Sequence, residues 1–504
     1  MHTFADPLAH ACATVPDRLA VVDGDFRCTF LEFHERCARL AGAMAGLGLA
    51  RGDRIAILAK NSHEYLEAYV GLPASGYAIV PLNTRHSPPE LEYALRDAGA
   101  RVLITDRDPG PLAAVVERVV RTGDDYEALL TSATPDRLGE HVTEASLSGL
   151  YYTGGTTGAS KGVMLTHRNL IANAQMWMSH VPATRDDVFL VAAPLFHAAG
   201  TAPVLANIWC GVPQVTLPAF DPGAALELIE RHRATLSIMV PTMLAALTEE
   251  QRQRPREAST LRLIVHGGSP IATQLLRRAG ETFANLKLGE VYGATELSPI
   301  ATLLIDEAPW LDHPRARSCG QPARGTRIRI ASNDGRTLPP GEVGEVLVRG
   351  PQMMPGYWNK PEQTAKALRN GEYWTGDLGY MDAEGYLFLV DRSKDMIISG
   401  GENIYSSEVE DVLYRHEAVL EAAVFGVPDD KWGEAVHAVV VPRAGHQNVD
   451  PAELIAFCRD RIAHYKVPRG IDLRSEPLPK SGPGKVLKRE LRAPYWAGRE
   501  RSVN

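Results

Sequence analysis

Apolar and polar positions begin to alternate in a regular way at Arg54. RIAILAK, AIVPL and RVLITD are apolar runs of strand length, and the intervening HEYLEAYVGLPASG and PPELEYALRDAGA space their apolar residues as helices do. This alternation predicts a doubly wound α/β sheet. It returns in DVFLVAA, QVTLPA, TLSIMV, LRLIVHGG and LKLGEVYG, interleaved with the helix-like PGAALELIERHR and TQLLRRAGETFA, and so predicts a second parallel sheet. From about Arg324 the runs shorten. RIRIAS, GEVLVRG and GYLFLVDR are joined by Asp-Gly, Pro-Gly and Glu-Gly turns, as an antiparallel unit closing the large region would be. Beyond Arg392 a smaller α/β pattern follows, with SSEVEDVLYRH and PAELIAFCRDRIAH helical and VLEAAVFGVP and AVHAVVVPR strand-like. The expected division is a large domain over 1–392 and a small C-terminal domain over 393–504. Val188–Phe220 contains no Asp, Glu, Lys or Arg, yet Pro194, Gly200, Pro203, Gly211, Pro213 and Pro218 cut it into short pieces. That favours a buried core beside a pocket over a membrane span.

Composition narrows the function classes. The 504 residues carry 53 basic against 61 acidic side chains, a net charge of −8, which speaks against wholesale neutralisation of a nucleic-acid backbone. The six cysteines are scattered without a CxxC pair, so neither a disulfide lattice nor a structural zinc site is indicated. The first residues lack the basic patch and apolar run of a secretory leader, and a cytoplasmic protein without an integral membrane segment is expected.

The chemistry begins at GLYYTGGTTGASKG, Gly149–Gly162, where an apolar strand enters a loop of Gly, Thr and Ser that ends in Lys. Glycines let backbone N–H groups approach an anion, the hydroxyls of Thr153, Thr156 and Thr157 add donors, and Lys161 supplies a point charge, so the loop suits phosphate. It is not a Walker A loop, because Ser160 stands where Gly would precede the lysine. Only 11 of the 53 basic residues are lysines, and Lys161 alone of those before Asp391 sits in a glycine loop.

With four further blocks the loop resembles the adenylate-forming superfamily of acyl-CoA synthetases, luciferases and peptide-synthetase adenylation domains. The blocks are PLFHAAG (Pro194–Gly200), VYGATELSP (Val291–Pro299), the segment from Tyr373 to Glu410 that contains TGD and DRSKD, and PKSGPGKVLKREL (Pro479–Leu491). They occur in the family's order between residues 152 and 491. The resemblance implies an α/β fold with two doubly wound sheets and a small β-barrel-like subdomain in the large domain, followed by a small mobile α/β domain. It also implies ATP, Mg²⁺ and CoA as co-substrate, and ATP-dependent conversion of a carboxylic acid to an acyl adenylate and then a thioester.

Residue by residue, the resemblance assigns Thr153, Gly154, Gly155, Thr156, Thr157, Gly158 and Lys161 to pyrophosphate. Gly268, Ser269, Tyr292 and Gly293 go to the adenine, Thr295 to the α-phosphate and Glu296 to Mg²⁺, a hard cation that takes oxygen ligands. Asp377 and Arg392 go to the ribose, and Lys485 to the charge that develops during adenylation. Lys394 is the expected hinge, and Gly400, Gly401 and Trp432 the expected CoA contacts. His197, Ala198, Ala199, Met239, Gly293 and Leu297 would line a hydrophobic acyl pocket without a fixed counter-charge. Phe196, His197 and Ala198 lack the Asp with which amino-acid-activating domains hold an ammonium group, and no carrier domain follows Lys485 before Asn504, which favours CoA over loading of an acyl carrier protein. A light-emitting oxidase and a noncatalytic nucleotide sensor are further alternatives, and a homodimer is entertained. Two departures stand out: Gly154 replaces the family's Ser, and Ser160 its Pro, so some loss of loop rigidity is expected.

Overall fold

The helices start where the sequence supplies N-caps. Ser62 accepts from the Tyr65 amide at 3.3 Å to open helix His63–Ala74, and the Thr166/Asn169 pair caps helix His167–His180 in the same way. The computed structural model describes residues 2–153, 160–269, 271, 273–305, 311–392, 394–400, 402–429, 431–480 and 486–497. They form two compact units. One comprises Met1–Ile328 and Val348–Tyr373, the other Arg329–Leu347 and Trp374–Asn504.

The first unit holds two sheets. In the seven-stranded sheet, Leu147–Thr153, Ala78–Pro81, Arg54–Leu58, Ala100–Thr105 and Arg118–Arg121 run parallel, and Lys161–Thr166 and Gly356–Tyr357 extend one edge antiparallel. Ile55, Ala56 and Ile57 are wholly buried, as expected of a strand covered on both faces. In the nine-stranded sheet, Lys287–Tyr292, Leu263–Gly267, Leu236–Met239, Phe189–Val191 and Gln214–Thr216 are parallel neighbours in that order. Leu19–Asp23 joins them and forms a hairpin with Phe26–Thr29 at the edge. The uncharged stretch around residue 200 folds as strand Phe189–Val191, helices Ala198–Thr201 and Val204–Cys210, and strand Gln214–Thr216. Among the described residues no helix is long and apolar enough to cross a membrane.

The second unit begins with turn-linked strands. Arg327–Ala331, Gly344–Arg349 and Glu372–Met381 are neighbours in one small sheet, and Leu387–Arg392 pairs antiparallel to the last. A second sheet orders Glu402–Ile404, Ile397–Ser399, Gly433–Pro442 and Val419–Asp429, with Gly470–Leu473 added in parallel. Its core gathers Ile397, Val409, Leu413, Val424, Val440 and Leu454 beneath helices Ser406–Tyr414 and Pro451–Arg459. By packing, the strand pair bearing Asp377 and Arg392 groups with the C-terminal elements, upstream of the 392/393 division expected from sequence.

Candidate active site

The two strands that flank the Gly/Thr loop form a hairpin in which Thr153 lies opposite Lys161. Ser160 Oγ donates to the Thr153 carbonyl at 2.7 Å, so the residue in the family's proline position closes the base of the loop with a side-chain bond. Gly154, Gly155, Thr156, Thr157 and Gly158 lie outside the described residues. Lys161 Nζ stands 4.3 Å from the centroid of the Tyr357 ring, a cation–π contact.

Strand Lys287–Tyr292 ends at Tyr292, half-buried, and the chain then turns through Gly293. A Cβ at Gly293 would sit 1.7 Å from the Pro299 carbonyl oxygen, so the VYGATE turn closes only on glycine there. Thr295–Leu297 is a short 3₁₀ turn that presents Glu296, 9% exposed. One carboxylate oxygen of Glu296 accepts from the Tyr357 hydroxyl at 2.8 Å, and its backbone carbonyl accepts from Met354 N at 2.8 Å. Burial and the neighbouring Glu296 push the Tyr357 hydroxyl well above its ordinary pKa, so it stays a donor. Among the described residues no carboxylate forms an ion pair with Lys161 and no cation pairs with Glu296. Strand Leu263–Gly267 runs beside Lys287–Tyr292, so Gly268, with φ +83°, and Ser269 leave the same sheet edge as Tyr292.

The apolar wall starts at that edge too. Strand Phe189–Val191, which leads into PLFH, lies beside Leu236–Met239. Met239, Leu297 and Ala198 are buried. His197 caps the short helix Ala198–Thr201, its Nδ1 accepting from Ala199 N at 3.3 Å. Burial pulls its pKa down to about 4, so the ring is neutral at physiological pH with its proton on Nε2. No Asp, Glu, Lys or Arg occurs among these lining positions.

In the second unit Asp377 and Arg392 are opposite residues of an antiparallel pair, Arg392 Nε lying 3.1 Å from Asp377 Oδ1. The TGD corner is held by Thr375 Oγ1 donating to the Val346 carbonyl at 2.8 Å and by Gly376 N donating to Glu345 at 2.9 Å. Arg392 remains half-exposed. Lys394 lies two residues on, and burial pulls its ammonium group below the ordinary pKa. Gly400 adopts φ +61°, and a Cβ there would lie 2.6 Å from the Trp432 ring. Trp432 is itself 38% exposed and carries Lys431 and Arg469 at 4.7 and 5.5 Å from its ring centroid.

Comparison with known proteins accounts for nearly the whole length. The model of the AMP-binding enzymes matches residues 8–358, and that of the AMP-binding enzyme C-terminal domain matches 408–485. The chain belongs to the AMP-binding enzyme family. A feruloyl-CoA synthase from an Amycolatopsis species is 42% identical, the match covering 95% of this chain and 96% of that one. The fatty acid–[acyl-carrier-protein] ligase ScoC of Streptomyces coeruleorubidus is 37% identical, covering 94% and 93%. Among solved structures, the o-succinylbenzoate CoA synthetase MenE of Bacillus subtilis, in complex with its acyl-adenylate intermediate OSB-AMP, aligns with TM-score 0.87 at 33% identity over 96% of this chain and 97% of that one. The same enzyme has also been solved with ATP and a magnesium ion.

In this AMP-binding enzyme the expected residues fall into two settings. Thr153 and Lys161 face each other in the seven-stranded sheet, whereas Gly268, Ser269, Tyr292, Gly293, Thr295 and Glu296 lie at or just beyond the ends of two neighbouring strands of the nine-stranded sheet, with Met239 ending the next strand and His197, Ala198 and Ala199 following Phe189–Val191. Asp377, Arg392, Lys394, Gly400 and Trp432 belong to the second unit, while Gly401 and Lys485 lie outside the described residues. The lysines either side of Lys485 are taken up by carboxylates. Lys480 pairs with Glu421, and Lys488 pairs with Glu410 at 2.7 Å and donates to Ser406 Oγ at 2.6 Å. Sequence reasoning missed Tyr357. Its GYW context carried a signal only in being a Gly-aromatic turn, and nothing local joined it to residues 161 and 296.

Proposed function

We propose that this AMP-binding enzyme is an acyl-CoA synthetase acting on a hydrophobic monocarboxylic acid, aryl or fatty. The observation that carries this reading is the pair Lys161 and Glu296, oppositely charged and unneutralised by each other or by any described side chain, beside a wall without counter-charge. Such a site takes an anion at one group and a cation at the other, and leaves the acid's organic part in apolar surroundings. The 42% identical feruloyl-CoA synthase supports keeping aryl acids among the candidates beside fatty acids.

Adenylation forms a bond between the acid's carboxylate oxygen and the α-phosphorus of ATP and breaks the bond to pyrophosphate. The thiolate of CoA then attacks the acyl carbonyl and AMP leaves. Lys161 and the loop hydroxyls hold the departing pyrophosphate. Asp377 accepts from the ribose hydroxyls, with Arg392 fixed beside it. Glu296 is a buried hard oxygen donor with one oxygen uncommitted, which fits Mg²⁺, and bound there Mg²⁺ would neutralise phosphate charge. Lys485 would supply a cation to the adenylation transition state, and Lys394 would be the pivot of a small domain spanning 393–504. The exposed Trp432, with cations over its ring, supports CoA as acceptor, since a flat ring beside positive charge suits a phosphorylated nucleotide.

A panel of aryl and fatty acids, assayed for pyrophosphate release with CoA, with acyl carrier protein and with neither, tests this. Thioester formation with CoA from an aryl or fatty acid is expected. Turnover with carrier protein alone would replace the reading by the carrier-loading activity that ScoC brings to mind.

A further inference from the structure

Residues 350–358 brace the two charged motifs of the first unit, although no family block drew attention to them. Gln352 O accepts from Ser298 Oγ at 2.8 Å, and Met354 N donates to Glu296 O. Asn169 donates to the carbonyls of Pro351 and Met353, both at 2.8 Å. Gly356 and Tyr357 then pair with Met164 and Val163, and Trp358 N donates to Gly162 O at 2.8 Å. The segment is thus bonded at one end to the turn bearing Glu296 and at the other to the strand that begins at Lys161. Tyr357, 5% exposed, stands between the two side chains.

We propose that Tyr357 is a positioning residue for adenylation, a neutral spacer that holds Lys161 on its ring face and Glu296 on its hydroxyl so that neither charge is consumed by the other. An ammonium and a carboxylate held on two parts of one buried tyrosine would, without it, be free to pair with each other and compete with ATP and Mg²⁺. The tyrosine gives each charge a weaker partner that a ligand can outbid. The ring holds the cation without a counter-ion, and the hydroxyl takes one carboxylate oxygen of Glu296 and leaves the second. This inference rests on the assignment of Glu296 to the metal and Lys161 to phosphate.

Two variants separate its parts. Tyr357→Phe keeps the spacer and loses the hydroxyl, and Tyr357→Leu loses the ring. Mn²⁺ binding in the presence of ATP, followed by electron paramagnetic resonance, and the single-turnover burst of pyrophosphate are read for both, with thermal unfolding and with thioester formation from supplied acyl adenylate as references. In Tyr357→Phe the Mn²⁺ affinity falls by about threefold to tenfold, the worth of one net hydrogen bond, with the burst rate at saturating metal kept. Tyr357→Leu lowers Mn²⁺ and ATP affinity together and slows the burst more than tenfold, while supplied adenylate still reacts with CoA at the wild-type rate. Wild-type metal affinity and burst in both variants overturns the proposal, as does a parallel fall of both half-reactions. Glu296→Gln is the control. If it binds Mn²⁺ as wild type does, the metal assignment fails. If it loses Mn²⁺ while both Tyr357 variants keep it, the spacer alone fails.

Discussion

The motif residues of the two units treat charge in opposite ways. In the first unit, Lys161 meets a ring and Glu296 a hydroxyl, and both charges stay uncompensated by described side chains. In the second, Lys480 faces Glu421, and Lys488 sits among Glu410, Ser406 and, through Ser406, Asp391. A charge held by neutral donors is available to a ligand, whereas a charge already paired is largely committed to the fold. In the terminal block Lys480 and Lys488 are committed to carboxylates, and the remaining lysine, Lys485, carries its expected role from the family resemblance alone.

The largest effect is expected at that remaining lysine. Lys485→Ala should slow adenylation by roughly 10² to 10³, or about 2.7 to 4 kcal/mol, while supplied acyl adenylate still yields thioester near the normal rate. Equal damage to both steps would move Lys485 from chemistry to structure. Lys488→Met should do the reverse of a catalytic change. It strands two carboxylates that burial already pushes above their ordinary pKa, Asp391 and Glu410, and should cost about 3 kcal/mol in urea unfolding, the low end for a broken buried pair because Lys488 keeps some exposure. Lys161→Met should leave the urea midpoint within experimental error yet depress pyrophosphate release, and a matching loss of stability there would break the comparison.

One buried histidine of the first unit gives a pH test. His167 is fully buried, its Nδ1 accepts from Phe4 N at 3.1 Å, and burial lowers its pKa from 6.5 to about 4. Between those values the unfolded chain binds the proton and the folded one does not, so this contribution is intact above about pH 6.5 and shrinks as pH falls toward 4. From pH 6.5 to 5 the loss should be about 1.5 kcal/mol by linkage, and His167→Gln should flatten the acid limb of the stability curve. A smaller effect is expected at the ribose pair. Arg392→Gln should raise the KM for ATP by about tenfold with modest change in kcat, since it removes the half-exposed charged partner of a buried carboxylate. An unchanged KM would remove Arg392 from the nucleotide site.

Gly400 shows how a structural reason can stand beside a functional one. Resemblance pointed to a slim channel for the thiol arm, and the structure adds a left-handed φ and the Trp432 ring close to where a Cβ would be. A Gly400→Leu variant would therefore be strained before any thiol arrives, and the acyl-adenylate burst is needed to separate strain from blockage.

Much of this protein was written locally. Strands such as Arg54–Leu58 and Leu263–Gly267 and helices such as His63–Ala74 and Pro222–His232 follow from apolar period, capping residues and turn formers, which act over a few positions. The adenylate-forming blocks were legible for the same reason, since a phosphate loop or a glycine-bearing turn keeps its chemistry within one stretch of chain. The edge hairpin Leu19–Thr29 had no such signal, because its partner strand, Gln214–Thr216, is remote in sequence. Nor did the Lys161–Tyr357–Glu296 arrangement, whose three members come from a hairpin, an edge strand and a 3₁₀ turn. Local spacing determined which residues carry charge. Only the tertiary structure decided which of those charges are neutralised and which are left for a ligand, because that depends on desolvation and on partners brought together from hundreds of residues away.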